Sequence, residues 1–339
     1  MVTERTNRRI LLRRRPDGAI APADYAIAAE PIALSVDGDA LIATRLLAID
    51  PVTRVMLGAD IGMMPPIAVG AAIRGFGVGE VIETSSRDYP IGAQVCGFFE
   101  WADFQSIRAT PHAALVPDGV SAAEALNLYG HTAHAAYFGM IEVGKVSAGE
   151  TVVVTGAAGS VGSIAAQIAR IIGARVFGTA GSDEKRRWLV QELGLAGAID
   201  YHNPLLDVQL DRLLPDGIDC IFDNVGGPLL DLLIGHLRHG GRVVQCGTVA
   251  QYEGPSPLSC THDQAMLAAR GAVLLRFNAM NYGPRLMQAS AEMAGWERAG
   301  LLHVATRIIT GLEAAPTALN SLFAGGNRGR LLVEIDRAG

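Results

Sequence analysis

The sequence predicts an α/β protein with two domains: one has a doubly wound parallel sheet and the other is mostly β. The chain has 339 residues, which is more than one ordinary hydrophobic core accommodates. From about Ser121, segments with helical and strand periodicity alternate, and this alternation is typical of parallel βαβ units. Before that point, short strand-like runs are separated by Gly and Pro, which is typical of a barrel-like β domain.

The first domain is predicted to consist of short strands joined by turns. The basic run Asn7-Arg-Arg-Ile-Leu-Leu-Arg-Arg-Arg15 is interpreted as an edge strand with charged flanks, because its apolar core is too short for a signal peptide. Further strands are predicted at residues 40–49, 79–83 and 94–99, with turns at Pro65-Pro66 and Pro117-Asp118-Gly119.

The sheet of the second domain is predicted to begin at Thr151-Val-Val-Val-Thr-Gly156-Ala-Ala-Gly159-Ser-Val-Gly162. A β-branched strand, a glycine turn and an apolar-periodic helix over residues 160–172 form the context of a dinucleotide-binding fingerprint in a Rossmann domain. We expect Gly156 to permit the tight turn, Gly159 to let the backbone approach a pyrophosphate, and Gly162 to let the helix pack on the strand. The pyrophosphate is expected on the first helical turn, which contains Ser160 and Val161.

The remaining elements continue the alternation. Residues 175–179 predict the second strand, and Ser182 can cap the following helix, which has acidic residues in its first turn. Further strands are predicted at residues 197–200, 217–222 and 241–246. The last predicted strand, residues 330–335, is expected to rejoin the first domain. The predicted domains are residues 1–125 with 301–339 for the mostly β domain, and residues 126–300 for the nucleotide-binding domain.

Composition and charge exclude several classes of partner. The net charge of −6 argues against nucleic acid or an anionic membrane surface as the main partner. No uncharged apolar stretch is long enough to span a bilayer, so we expect a cytoplasmic protein. Cys96, Cys220, Cys246 and Cys260 are too far apart in sequence to form CxxC pairs, and we expect them to be reduced and not to hold structural zinc.

A series of ordered motifs covers nearly the whole chain. They are Asn7-Arg-Arg-Ile, Ile49-Asp-Pro51, Arg74-Gly-Phe-Gly-Val-Gly-Glu80, Ala136-Tyr-Phe-Gly139, the glycine fingerprint, Gly181-Ser-Asp-Glu-Lys185, Ile199-Asp-Tyr201, Phe222-Asp-Asn-Val-Gly-Gly227, Gln251-Tyr252 and Gly326-Asn-Arg-Gly-Arg330. With these motifs the sequence resembles the zinc-free medium-chain dehydrogenase/reductase superfamily, and within it the NADPH-dependent alkenal and prostaglandin reductases, or double-bond reductases. The resemblance implies a GroES-like barrel beside the Rossmann domain. Zinc-dependent members carry Gly-His-Glu where this chain has Gly75-Phe76-Gly77, so a metal ligand is missing there.

The resemblance implies NADPH as the cofactor. Lys185 and Tyr201 match the family residues that bind the 2′-phosphate, and the small residues 179–181 leave room for this group. Acidic Asp183 and Glu184 lie nearby in the sequence, so use of NADH also stays open. For Lys185, a solvated helix face is the alternative interpretation. Further cofactor contacts implied by the resemblance are Asn224, Cys246, Gly247, Phe277, Asn278 and, beside the nicotinamide, Asn327.

The resemblance also implies a reaction, in which hydride is delivered to the β-carbon of a small hydrophobic enal or enone while negative charge develops on the carbonyl oxygen. Tyr252 is the first candidate to donate a hydrogen bond to that oxygen, because an unperturbed tyrosine hydroxyl is protonated at pH 7. It matches the Tyr of the family's Gln-Tyr-Asn motif, whose Asn is replaced here by Glu253. The alternative is a surface aromatic residue in a loop.

The segment His131-Thr132-Ala133-His134-Ala135 departs from the family, which has Met-Pro-Gly-Leu-Thr there. The family's Thr helps to hold the nicotinamide amide, and Thr132 is its candidate replacement. His131 is a candidate proton donor or ligand of the substrate oxygen, because histidine titrates near neutral pH; a histidine that lines a helix start is the alternative. Thr132 and His134 are assigned to the substrate pocket. The histidine pair has no third ligand at metal spacing.

The substrate pocket is expected to be wider than in the family, because Val52-Thr53 replaces Tyr-Met after Asp50-Pro51. Tyr137 is assigned to the pocket as a residue that packs and positions the cofactor. Two other functions stay open: an NADPH-quinone oxidoreductase of the zeta-crystallin type, and an NADP-binding protein that has lost catalysis. Family members are commonly homodimers, and residues 272–275 predict a strand that can join two sheets edge to edge.

Overall fold

The structure is a computed structural model. It describes residues 5–32, 39–60, 64–108, 113–252 and 264–336. Glu253 and Cys260 lie outside the described residues. The chain divides into two compact units: the first comprises Met1–Leu126, Thr306–Gly326 and Arg330–Gly339, and the second comprises Asn127–Ala305 and Asn327–Gly329.

Strands dominate the first unit, whereas strands and helices alternate in the second. The strands within the described ranges are β1 (Arg5–Leu12), β2 (Tyr25–Ile32), β3 (Asp39–Ala48), β4 (Arg74–Thr84), β5 (Gln94–Glu100), β6 (Phe104–Arg108), β7 (Ala113–Leu115), β8 (Thr151–Val154), β9 (Arg175–Thr179), β10 (Gly197–Ile199), β11 (Ile218–Asp223), β12 (Leu237–Gln245), β13 (Val273–Arg276), β14 (Thr306–Thr310) and β15 (Arg330–Glu334). The α-helices there are α1 (Pro51–Leu57), α2 (Ala122–Leu126), α3 (His131–Phe138), α4 (Ser160–Ile172), α5 (Asp183–Gln191), α6 (Leu206–Leu213), α7 (Gly227–Gly235), α8 (Gln264–Ala269), α9 (Arg285–Arg298) and α10 (Ala315–Phe323).

The second unit is built on a six-stranded parallel sheet in the order β10-β9-β8-β11-β12-β13. If the six strands are numbered by their order along the chain, their order across the sheet is that of a doubly wound dinucleotide-binding domain. The direction of winding reverses between β8 and β11, and in such sheets ligands bind at the carboxyl ends of the strands that flank this point. The predicted α/β fold with a doubly wound parallel sheet is confirmed.

The central strand β8 is buried on both faces. Val152 and Val154 pack in the core that contains α3, α4 and α9, whereas Val153 packs in the opposite core with α6, α7 and α8. Successive side chains of a strand point to opposite faces of the sheet. A strand covered on both faces therefore needs a continuous run of β-branched residues, which is the pattern that predicted it.

The first unit contains a seven-stranded sheet with the order β14-β15-β3-β4-β5-β7, in which β6 also pairs with β3. β14 and β15 are parallel, and the other neighbours are antiparallel. β1 and β2 form a separate antiparallel pair. The core of this unit includes Leu47, Phe99 and Trp101. The expected mostly β domain is present, and β15 from the C-terminal part of the chain pairs with β3.

A buried ion pair joins the residue before α1 to the start of β15. Arg330 Nη2 donates to Asp50 Oδ2 at 3.2 Å, and a second hydrogen bond joins Nη1 to Oδ1. The exposed fractions of the two residues are 2% for Arg330 and 3% for Asp50. Bidentate, charge-assisted hydrogen bonds offset the cost of desolvating both ions. Two of the sequence motifs, 280 residues apart, therefore meet in one structural contact.

Candidate cofactor-binding and active site

The glycine turn between β8 and α4 allows the backbone to fold very tightly. Gly156 has φ of +58°, a left-handed conformation that favours glycine. A Cβ on Gly162 would lie 2.3 Å from the carbonyl oxygen of Gly156, so a side chain there would push the first turn of α4 away. A Cβ on Gly159 would lie 3.3 Å from the same oxygen. The geometry fits the structural requirements predicted for these three glycines.

Gly159 is the N-cap residue of α4. It has no side chain that could accept a hydrogen bond from the N–H groups of the first helical turn. Ser163 is the first residue of α4 whose amide makes the helical hydrogen bond to a residue four positions earlier: it donates to Gly159 O at 3.0 Å. The N–H groups of Ser160, Val161 and Gly162 precede it, and such groups carry the partial positive charge of a helix N-terminus. This turn therefore fits the pyrophosphate of a dinucleotide.

A buried carboxylate ties together the ends of β8 and β11. Asp223 is fully buried and accepts from Thr155 Oγ1 at 2.7 Å and from the Gly226 amide at 3.0 Å. Thr155 Oγ1 in turn accepts from the Asn224 amide at 2.8 Å, and Asn224 Nδ2 donates to Thr155 O at 2.7 Å. This network fixes Asn224 at the point where the winding of the sheet reverses.

A second group of predicted residues flanks the end of β9. Ser182 caps α5, as predicted, and its Oγ accepts from the Lys185 amide at 3.3 Å. A Cβ on Gly181 would lie 2.5 Å from the hydroxyl oxygen of Tyr201, so the absence of a side chain lets Tyr201 approach. Burial lowers the pKa of the Lys185 ammonium, and the charge of Glu184 opposes this effect. A partly desolvated ammonium at a helix start fits an anionic group such as the 2′-phosphate.

The loop before β15 lies against the glycine turn. Gly329 forms a parallel bridge with Gly159, and its amide donates to Ala158 O at 2.8 Å. Gly329 has φ of +69°, and a Cβ there would lie 2.0 Å from Ala305 O, so this close approach requires glycine. Asn327 Nδ2 donates to Gly329 O at 3.2 Å. The structure thus places Asn327 in the same unit as the glycine fingerprint.

Tyr252 folds back toward the end of β12. The amides of Cys246 and Gly247 donate to Asp223 O at 2.8 and 3.1 Å, which holds this segment beside Asn224. The Tyr252 hydroxyl accepts from the Thr248 amide at 3.5 Å. Tyr252 is only 8% exposed, so the alternative of a surface aromatic residue is wrong. Burial raises the pKa of its hydroxyl, and hydrogen bonds with Thr248 oppose this rise.

The thiol of Cys246 remains protonated at neutral pH. Burial raises its pKa to about 12, and the nearby Asp223 carboxylate acts in the same direction. A thiolate is the nucleophilic form of cysteine. Cys246 therefore has the properties of a structural side chain in the segment that holds Gly247, and its cofactor contact stays a prediction.

α3 begins at His131, with Gly130 as its N-cap. The hydroxyl oxygen of Thr132 is buried and has no hydrogen-bond partner among the described residues. Leaving such a group unsatisfied costs about 1–3 kcal/mol, and a carboxamide of a bound ligand can satisfy it. Thr132 therefore fits the predicted interaction with the nicotinamide amide. His131 is half-buried at the helix start, the location expected in both interpretations of this residue.

His134 and Tyr137 contact α9 of the same unit. His134 Nε2 lies 2.8 Å from Ser290 Oγ, and the Tyr137 hydroxyl donates to Glu292 Oε2 at 2.6 Å. Burial, together with the nearby His131, lowers the pKa of His134 to about 4. Burial and the Glu292 carboxylate raise the pKa of Tyr137. These contacts make both residues part of the α3–α9 packing, and their pocket role stays a prediction.

Phe277 follows β13 at the carboxyl edge of the sheet and lies against Gly139. A Cβ on Gly139 would lie 2.8 Å from Phe277 Cζ and 2.5 Å from Phe222 Cε2, so this glycine makes room for both rings. Gly139 begins a π-helical turn, Gly139–Val143, and such turns are frequent at functional sites. Asn278 Oδ1 accepts from the Met280 amide at 3.0 Å, which fixes the loop after Phe277.

The first unit contains Val52 and also Phe76, which the resemblance places at the position of a metal ligand in zinc-dependent members. Val52 is partly buried in the first turn of α1. The ring of Phe76 packs edge to face on Phe98 with centroids 5.3 Å apart. Within the described ranges, no group of three or more His, Cys, Asp or Glu side chains is placed to hold a metal ion. No helix in these ranges has the length and apolarity needed to cross a membrane.

Sequence reasoning missed several polar residues that hold the site in place. Thr155 and Thr179 bond across strand ends, and Thr179 Oγ1 accepts from the Gly156 amide at 3.1 Å. The sequence contains a signal that could have identified these two threonines, because each stands at or directly after the end of a mostly apolar strand. Ser290 and Glu292, the partners of α3, lie on a helix about 155 residues away, and no local pattern marks them.

The comparisons with known proteins agree with this architecture. Residues 8–115 match the family model described as the N-terminal domain of oxidoreductase, and residues 160–287 match the one described as zinc-binding dehydrogenase. The chain belongs to the medium-chain dehydrogenase/reductase superfamily, in the group of NADP-dependent oxidoreductases that includes 2-alkenal and prostaglandin reductases. The predicted family is therefore confirmed.

Individual relatives align over nearly their whole length. A putative NADP-dependent oxidoreductase of Bacillus subtilis, YfmJ, is 34% identical over 97% of this chain and 98% of its own. The NADP⁺-dependent 2-alkenal reductase of Nicotiana tabacum is 31% identical over 99% of this chain and 100% of its own. The crystal structure of CurA from Vibrio vulnificus in complex with NADPH has a TM-score of 0.90 and 29% identity, over 97% of this chain and 99% of that one.

The protein is accordingly an NADP-dependent oxidoreductase, which confirms the predicted enzyme class and cofactor. The observations that fit this cofactor are the tight turn at Gly162, the lack of a side-chain cap at the N-terminus of α4, and the Thr132 hydroxyl, which has no partner among the described residues.

Proposed function

We propose that this protein uses NADPH to reduce the C=C bond of small hydrophobic α,β-unsaturated aldehydes or ketones. The name of the tobacco relative, a 2-alkenal reductase aligned over 99% of this chain, supports this reaction class. When bound, NADPH supplies a hydride to the β-carbon. The residues of the chain must then stabilise negative charge on the carbonyl oxygen and exclude water, while a proton reaches the α-carbon.

The observation that carries the proposal is the placement of the Tyr252 hydroxyl. Its oxygen accepts from the Thr248 amide, so its own hydrogen can be donated to a substrate oxygen. Burial raises the pKa of the hydroxyl from its ordinary value, and a tyrosine hydroxyl is already protonated at neutral pH. A buried, oriented donor at a developing oxyanion contributes about 10²- to 10³-fold to kcat.

The other predicted residues receive proposed roles around this donor. Lys185 and Tyr201 bind the 2′-phosphate, and Thr132 binds the nicotinamide amide. His131 is proposed as an alternative to Tyr252, either as a ligand of the substrate oxygen or as a proton donor. The first turn of α4, at Ser160, Val161 and Gly162, binds the pyrophosphate, and Asn224, Cys246, Gly247, Phe277, Asn278 and Asn327 complete the cofactor site. Val52, Thr132, His134 and Tyr137 are proposed for the substrate pocket. The enzyme is proposed to be cytoplasmic and to work without zinc.

The proposal is tested by following NADPH oxidation with an aliphatic 2-alkenal, an aryl enone and a quinone, and by identifying the products. Saturated carbonyl products support the proposal. Turnover with the quinone alone contradicts it and favours a quinone oxidoreductase, and NADPH binding without turnover of any acceptor also contradicts it. Full activity after dialysis against a chelator is expected.

The role of Tyr252 is tested with the variant Tyr252→Phe, which removes only the hydroxyl. We expect kcat to fall about 10²- to 10³-fold with little change in NADPH affinity. Tyr25→Phe, in β2 of the first unit, is the matched control and should retain activity. An unchanged kcat in Tyr252→Phe together with a large loss in His131→Phe would transfer the donor role to His131.

We also propose that the protein is a homodimer that joins through β13. This strand lies at the edge of the parallel sheet, and its Val273 is 51% exposed. An open edge strand with an exposed apolar residue is suited to pairing with a second copy. Light scattering on the purified protein should give twice the chain mass, and Val273→Lys should increase the monomer fraction. A monomeric mass for the unaltered protein at micromolar concentration contradicts this proposal.

A further inference from the structure

The loop before β15 carries a cation, Arg328, that the reaction described above does not use. Arg328 is the middle residue of the segment Asn327–Gly329, which belongs to the second unit although the residues on both sides belong to the first. The bridge between Gly329 and Gly159 fixes this segment beside the glycine turn. Arg328 is therefore held next to the N-terminus of α4 by backbone contacts that do not depend on its own side chain.

The side chain of Arg328 extends across the beginning of α5. Its guanidinium carbon lies 5.4 Å from the centre of the Trp188 ring, and its Nη1 lies 3.8 Å from Glu184 Oε1. Trp188 is 4% exposed, so the ring is a fixed platform for a cation–π contact. Glu184 and Trp188 lie on either side of Lys185 within one helical turn, and the guanidinium is thus close to the proposed 2′-phosphate ligand.

The ion pair between Arg328 and Glu184 is loose and open to solvent. The side chains are 45% and 78% exposed, and exposed pairs of this kind contribute little to stability. Arg186, the neighbouring cation on α5, is held differently: it pairs with Asp200 at 3.0 Å and also with Asp183. Of these two guanidinium groups, that of Arg328 can therefore exchange its carboxylate partner for a phosphate at a smaller cost.

We propose that Arg328 is a second cationic ligand of the 2′-phosphate of NADPH, so that the loop before β15, as well as α5, sets the preference for NADPH over NADH. This inference rests on the NADP cofactor of the protein. A phosphate monoester carries about −1.5 to −2 charges at pH 7, which a single lysine does not neutralise. A guanidinium can bind two phosphate oxygens at once while it remains stacked on Trp188. On cofactor binding, Arg328 turns from Glu184 to the phosphate.

The test uses binding as well as activity. Calorimetry measures the affinities of 2′,5′-ADP and of 5′-ADP, which lacks the 2′-phosphate, for the unaltered protein, Arg328→Ala and Arg328→Lys. We expect Arg328→Ala to weaken 2′,5′-ADP about 10- to 100-fold, as for loss of a charge-assisted hydrogen bond. The affinity for 5′-ADP should stay within about 2-fold, and Arg328→Lys should recover part of the loss. In turnover, KM for NADPH should rise in Arg328→Ala, with kcat and KM for NADH little changed.

Two further variants separate this inference from the assignment of the cofactor. Arg187→Ala removes an exposed cation from the same helix and should bind both ligands normally. Lys185→Ala should lose 2′,5′-ADP selectively. If Lys185→Ala shows this loss and Arg328→Ala does not, the role of Arg328 is refuted while the cofactor site stands. Equal weakening of 2′,5′-ADP and 5′-ADP by Arg328→Ala also refutes it, because the residue would then act on the pyrophosphate or on the fold.

Discussion

Replacing Gly162 by alanine tests whether the tight turn at α4 is what binds the cofactor. The added Cβ would lie 2.3 Å from Gly156 O and 2.9 Å from Ala157 Cα. Both neighbours are backbone atoms, so no flexible side chain can move aside. Cβ contacts shorter than 3.0 Å are essentially absent from real structures, and the first turn of α4 must therefore shift by about 0.7 Å or more relative to Gly156.

The size of the effect follows from this shift. Forced overpacking in a close-packed region costs about 1–3 kcal/mol of folding free energy. The N–H groups of Ser160 and Val161 move with the helix, and losing one well-aligned charge-assisted hydrogen bond costs about 1.5–3 kcal/mol. We therefore expect NADPH to bind about 10- to 150-fold more weakly to Gly162→Ala than to the unaltered protein.

The assay is a fluorescence titration with NADPH, accompanied by urea denaturation of the free protein. Gly235→Ala is the matched control, because a Cβ at Gly235, the last residue of α7, meets no atom within 4 Å. This control should bind NADPH normally and should be as stable as the unaltered protein or slightly more stable. Normal NADPH affinity in a folded Gly162→Ala would refute the argument that this close contact positions the pyrophosphate site.

Two further predictions concern stability. Asp50→Asn leaves the buried guanidinium of Arg330 without its counter-ion, and should lower the free energy of unfolding by about 3–5 kcal/mol; an unchanged urea midpoint would contradict this. Burial lowers the pKa of His134 from 6.5 to about 4, so the unfolded state binds more protons than the folded state between these values. The stability of the protein should therefore fall as the pH drops from about 6.5 to 4, and His134→Gln, which cannot titrate, should reduce this slope. An identical pH dependence in the variant would exclude His134 as the cause.

The structure of the turn and helix proposed to bind the cofactor was predictable because its signals are local. The turn and the helix of the fingerprint lie within residues 151–172, and the tight approach of Gly156 to Gly162 depends only on backbone geometry within this segment. The predicted start and end of α4 also match the structure. Its end is set locally too, by Gly173 with φ of +101°.

The surroundings of α3 were not predictable in the same way. His131, Thr132 and His134 are adjacent in the sequence, and family resemblance suggested one common pocket for them. In the structure His134 Nε2 contacts Ser290 on α9, while Thr132 Oγ1 has no hydrogen-bond partner among the described residues. Neighbouring positions of a helix point about 100° apart, so the packing partner of each side chain is decided by whichever element covers that face.

The sequence by itself determined the family, the parallel βαβ order, the cofactor and the tight glycine turn before α4, because each of these depends on periodicity or on motifs of a few residues. Only the tertiary structure decided which distant segments come together. The ion pair between Asp50 and Arg330 spans 280 positions, and the bridge between Gly159 and Gly329 brings Arg328 to α5. Contacts of this kind depend on chain topology and on the burial of complementary groups, which no local pattern contains.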